Sequence, residues 1–148
     1  MKKHFSLTIA IMMFVAVLAT AAQAQSNGSP LMRAHIPFPF QVGSTKLPAG
    51  EYNITVLNPS SDRKVLQIRS TDGRVSAMVN TVDLNAKSAE TSRIVFHRYG
   101  ETYFFAQAQV SGDSTSLAAL KSSAERTEAR MIAKLGRNSS TLTIAAER

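Results

Sequence analysis

The stretch Arg93-Ile94-Val95-Phe96-His97-Arg98-Tyr99-Gly100-Glu101-Thr102-Tyr103-Phe104-Phe105-Ala106-Gln107-Ala108-Gln109-Val110 decides the fold. β-Branched and aromatic residues flank Gly100-Glu101, and Gly in the first position of a two-residue loop suits a type II′ turn, so the stretch reads as a β-hairpin. Such a loop sets Tyr99 opposite Thr102, Arg98 opposite Tyr103, His97 opposite Phe104 and Phe96 opposite Phe105. Alternation then places Ile94, Phe96, Tyr103 and Phe105 on one face, and Val95, Tyr99, Phe104, Ala106, Ala108 and Val110 on the other. Both faces are largely apolar, as expected of a central hairpin covered on both sides.

Upstream, residues 65–70 and 75–79 flank Asp72-Gly73, a strong hairpin signal. Pairing Ile68 with Ala77 and Leu66 with Val79 collects Leu66, Ile68, Val75, Ala77 and Val79 on one face, and a slip of one residue would scatter them. Residues 81–92 read as a polar connection. Earlier still, Ile36, Phe38, Phe40 and Val42 alternate with His35, Pro37, Pro39 and Gln41, which predicts an edge strand because proline cannot donate to a ladder. Residues 43–50 read as a turn, and Tyr52, Ile54 and Val56 open the next half-buried strand.

Leu47-Pro48-Ala49-Gly50-Glu51-Tyr52 resembles the strand entry of prealbumin-like and Cna-B-type β-sandwich modules. Together with Ile36-Pro37-Phe38-Pro39-Phe40-Gln41-Val42-Gly43 and His97-Arg98-Tyr99-Gly100, the chain resembles a set of small exported bacterial proteins of unknown function. Those resemblances imply a β-sandwich and transfer no catalytic residue.

Downstream of the hairpin, residues 111–116 break the β pattern and the composition turns helical. Ser122-Ser123-Ala124-Glu125 has capping-box spacing and Gly136 suits the position just past a helix end, so a helix is predicted over about 117–135. Leu117, Leu120, Ala124, Met131 and Leu135 form its thin apolar stripe and its polar face carries both charge signs; docking on its own sheet is expected, and presentation of the stripe to a partner helix or a membrane surface is the alternative. Residues 141–145 read as a closing strand.

Lys2 and Lys3, the apolar run over residues 5–19 and Ala22-Gln23-Ala24 have the form of a cleaved signal peptide, residues 1–24. Residues 25–33 then form a flexible leader and residues 34–148 one β-domain. Export is expected, to periplasm or medium, with membrane contact only in transit. Cleavage would remove two of the 17 Lys and Arg and leave the 10 Asp and Glu, lowering the net charge from +7 to +5. The remaining cations are scattered singly, which suits a solvated surface and opposes nucleic-acid binding. With no Cys in the chain, stability must come from packing rather than disulfides.

The chemistry-bearing residues are few. His35 and His97 lie on separate predicted strands without metal-ligand spacing, so neither a metal nor another cofactor is expected. No Ser sits in a G-x-S-x-G elbow, no Gly pattern suits a phosphate cradle, and the acids fall in turns, strand ends or the helix. The aromatic cluster beside Arg93 and Arg98 is the remaining lead: Arg98, Tyr103, His97 and Tyr99 are the candidate ligand contacts. The sequence thus predicts a β-sandwich or flattened barrel of about seven strands with one C-terminal helix. Its expected role is non-enzymatic binding of an envelope polymer, protein or small ligand. A lipocalin-like carrier of an apolar ligand and a small envelope hydrolase are the alternatives.

Overall fold

In the computed structural model, residues 30–148 are described; the expected signal segment lies outside them. In chain order the elements are β1 (Met32–Ile36), β2 (Phe40–Val42), β3 (Thr45–Leu47), β4 (Gly50–Val56), β5 (Lys64–Ser70), β6 (Ser76–Asn85), β7 (Arg93–Tyr99), β8 (Thr102–Gln109), β9 (Thr115–Ala119), α1 (Ser123–Lys134) and β10 (Ser140–Ala145). The chain is mainly β with one C-terminal helix, as expected, but ten strands replace the seven anticipated.

The three extra strands have separate causes. Pro37 and Pro39 end the β1 ladder, so the single alternating segment becomes two: β1 pairs with β4, and β2 pairs with β3 and β8. Gly43, at φ +62°, turns the chain back and makes β3 from part of the expected turn. The segment read as the start of the helix is β9, whose Leu117, Ala118 and Ala119 pair with the second half of β6. Sheet pairing overrides the helix preference of Leu and Ala there. It also converts residues 81–85 of the expected polar connection into strand, and β1 begins two residues before the predicted domain boundary.

The strands form one mixed sheet. Neighbours run β1-β4-β5-β6-β9-β8, and β8 continues to β7 and β7 to β10. β8 is shared on its other side: β9 pairs with Gln107–Gln109, while Phe104 meets Gln41 of β2 in parallel, so the β2–β3 hairpin lies beside the first half of β8. Past β10, Glu147 exchanges two backbone hydrogen bonds with Arg33 of β1, at 2.7 and 2.8 Å.

The Asp72-Gly73 hairpin keeps its predicted register throughout, and the central hairpin keeps its own near the tip. Leu66 faces Val79 and Ile68 faces Ala77, and the Ser70 hydroxyl and Arg74 amide donate to the Asp72 carboxylate at the turn (2.6 and 3.0 Å). Those donors, Ser70 first, hold the Asp72 carboxyl below the usual range. At the tip of the central hairpin Gly100 has φ +62° and the four expected pairs are formed.

Farther from that tip the register shifts: Phe96 pairs with Phe105 but Val95 with Gln107, leaving Ala106 unmatched as a β-bulge. The extra residue moves Ala108 and Val110 onto the face of Phe105, opposite to the predicted face. One apolar cluster results, with side chains from all ten strands, and Tyr52, Ile54, Leu66, Ile68, Ile94 and Phe96 are at most 1% exposed. Each such side chain contributes about 1.5–3 kcal/mol by leaving water.

Candidate functional site

Successive residues of a strand point to opposite faces, and this divides the four candidate ligand contacts into two pairs. His97 and Tyr99 lie on the outer face of β7, with Phe104 of β8 directly opposite His97. Helix α1 covers this face: Ile132 packs with Tyr99 and Phe104, and Ala124 and Ala129 adjoin them. A Cβ at Gly100 would meet the Ile132 side chain at 3.4 Å, an ordinary contact, so glycine there serves the turn, at φ +62°, rather than the approach of the helix.

Polar contacts fasten the same interface. Ser122 is the N-cap, its hydroxyl accepting from the Glu125 amide at 3.1 Å. In a full capping box the Glu125 carboxylate would return to the cap. Here it binds His97 Nδ1 at 2.7 Å and accepts from the Tyr99 hydroxyl at 3.2 Å. The carboxylate side chain is 5% exposed and the imidazole 34%. Lys121 Nζ donates to the Tyr99 oxygen at 3.4 Å. Burial pushes the Tyr99 hydroxyl pKa up, the Lys121 hydrogen bond draws it back, and the Glu125 charge raises it. At the other end Arg137 N–H reaches the Ile132 carbonyl and Gly136 N–H the Ala133 carbonyl, and Gly136 has φ +65°. This is a Schellman closure, with Gly136 just past the helix end as the sequence suggested.

The docked side of α1 differs from the predicted stripe. Glu125, Ala129 and Ile132 face the sheet, whereas Met131 and Leu135 are 49% and 64% exposed, as is Leu120 at 57%. The sequence reads Glu125 as the far residue of a capping box. Its pairing with His97, 28 residues away, has no local signal in the sequence.

Arg98 and Tyr103 occupy the opposite side of the hairpin. The Arg98 guanidinium lies 5.4 Å from the Tyr103 ring centroid while its Nε donates to the Gly100 carbonyl and its Nη2 pairs with Glu101. Tyr103 in turn stacks on Phe38 at 4.1 Å and borders a hollow of about 170 Å³ with Pro39, Gln41 and Lys46. The four residues therefore do not form one platform. Two are committed to holding the helix, and two form a stack at the rim of the core.

Gln109 was not singled out by the sequence and is the most heavily bonded buried polar side chain described. It is 1% exposed. Its oxygen accepts from Arg93 Nε and Nη2 (3.0 and 2.7 Å), and its nitrogen donates to the carbonyls of Lys87 and Asp113 (2.8 and 3.0 Å). Among the described residues no group of three His, Asp or Glu gathers to hold a metal ion, and no helix is long and apolar enough to cross a membrane. No family model, curated protein or solved structure matches the chain.

Glu125→Ala removes both hydrogen bonds to the carboxylate, and its expected cost is about 1.5–3 kcal/mol. Amide hydrogen exchange checks the location: the α1 amides lose protection while those of β4 and β5 keep it. Uniform loss across the chain would mean that Glu125 supports the whole sheet rather than the helix.

Proposed function

We propose that the chain is an exported β-domain that works by binding a component of the cell envelope, without a catalytic step of its own. The observation that carries this reading is the main apolar cluster fed by every strand, which leaves the outer surface as the place for recognition. In the finer reading the sheet is a filled barrel. Eight strands follow one another as neighbours from β1 through β4, β5, β6, β9, β8 and β7 to β10, and the Arg33–Glu147 pairing supports a return to β1. A barrel of eight strands has an interior that side chains just fill. That agrees with the cluster and speaks against carriage of an apolar ligand.

The hydrolase reading draws on the His97–Glu125 pair, which has the form of a base beside an orienting acid. Docking of α1 accounts for the same pair. The hollow beside it, about 260 Å³, is lined by Tyr99, Lys121, Arg137 and Ser139 among others and by neither His97 nor Glu125.

Purified residues 25–148 are expected to turn over no ester, glycoside or phosphoester and to take up no fluorescent fatty acid. Turnover abolished by His97→Ala would establish the hydrolase instead, and saturable fatty-acid uptake the carrier. The compartment is checked by N-terminal sequencing of protein from the envelope fraction, with Gln25 expected as the first residue. Uncleaved chain in the cytosol would remove export from the proposal.

A further inference from the structure

We infer that the solvent side of α1 is a docking surface for an anionic phospholipid bilayer. Folding sorts the helix charges by sign. Glu125 is turned into the sheet at 4% exposure and Glu128 is half-buried, whereas Arg126, Arg130 and Lys134 are all exposed. Their spacing of four residues places them along one stripe, spanning about 12 Å of helix at 1.5 Å per residue. Lys121 before the helix and Arg137 beyond it are exposed as well. Among the described residues none of these five forms an ion pair, and the carboxylate at the nearby hairpin tip, Glu101, is paired with Arg98. The mixed polar face expected from the sequence is thus mainly cationic toward solvent, with the half-buried Glu128 as the remaining acid of the helix.

Charge alone would suit any polyanion. The exposed apolar side chains select a bilayer. Met131 and Leu135 each follow a cation of the stripe by one position, and they are 49% and 64% exposed. A helix that combines cations with large apolar side chains on its free side lies in the headgroup boundary, where the cations meet anionic lipid and the apolar groups enter the acyl region. The placement of this bilayer in the envelope rests on the exported binding role proposed above. The docking itself does not.

The test is co-sedimentation of residues 25–148 with vesicles of phosphatidylglycerol and phosphatidylcholine, against vesicles of phosphatidylcholine alone and against soluble polyphosphate. Binding is expected only to the anionic vesicles, and weaker in 0.5 M salt by screening of the order given by a Debye length of ~3–5 Å. Arg130→Glu with Lys134→Glu should weaken it at least about tenfold. Met131→Ser with Leu135→Ser should weaken it by about as much again. All four positions are exposed, and an unchanged thermal transition checks that the variants fold. Equal binding to neutral vesicles, or no loss on charge reversal, overturns the surface. Polyphosphate binding that matches vesicle binding and ignores the apolar pair replaces the bilayer with a soluble polyanion. Absence of vesicle binding while the substrate and fatty-acid screens stay blank removes this inference alone; a positive screen removes the binding role.

Discussion

Phe96→Ala is expected to lower the unfolding free energy by about 3–5 kcal/mol, the range for losing a fully buried phenylalanine. Its ring is 0% exposed and meets Phe38, Phe40 and Phe105 edge-on, with centroids 5.3, 5.4 and 6.2 Å away. These three partners come from the proline-interrupted segment, β2 and β8. The vacated space therefore lies where separate parts of the sheet converge, and backbone pairing of β7 with both β8 and β10 restrains collapse. Urea unfolding followed by circular dichroism measures the loss. A change below about 2 kcal/mol would show that this interior repacks readily, unlike the cores on which that range is based.

Gln109→Leu should cost about 3–4 kcal/mol although leucine is apolar and of similar size. The substitution removes four hydrogen bonds, to the Lys87 and Asp113 carbonyls and from the Arg93 guanidinium, and each is worth about 0.5–1.5 kcal/mol net at such part-buried positions. Because the side chain ties the segment after β6 to the segment after β8, limited proteolysis should also cut first near Lys87. Thermal stability equal to the parent, with no new cleavage, would show that water replaces the carboxamide without loss.

Local rules made the hairpins legible. Gly100-Glu101 and Asp72-Gly73 carry their turn chemistry in adjacent residues, and the Ser122 cap and Gly136 closure do so at the helix ends. The Ala106 bulge left no such mark, since its backbone needs no glycine, and it alone reverses the side of Ala108 and Val110. β9 was hidden because Leu117-Ala118-Ala119 has helical composition and becomes strand only through distant partners. The same reason separates the two halves of the candidate site. His97 and Tyr99 were visible as aromatic and titratable residues, but a buried carboxylate on a helix 28 residues away was not. The excess of cations on the solvent side of α1 follows in part from that one buried acid.

The Arg33–Glu147 pairing has a kinetic consequence. It brings together residues from near opposite ends of the described chain by a single bridge, whereas β7 and β8 share seven register pairs. Contacts between such distant residues form only after the intervening chain is ordered, because the entropy of closing so long a loop must be met first. The junction of β1 with the end of β10 is therefore expected to assemble last and part first, and a hollow of about 430 Å³ lined by Arg33, His35, Glu51 and Glu147 lies beside it.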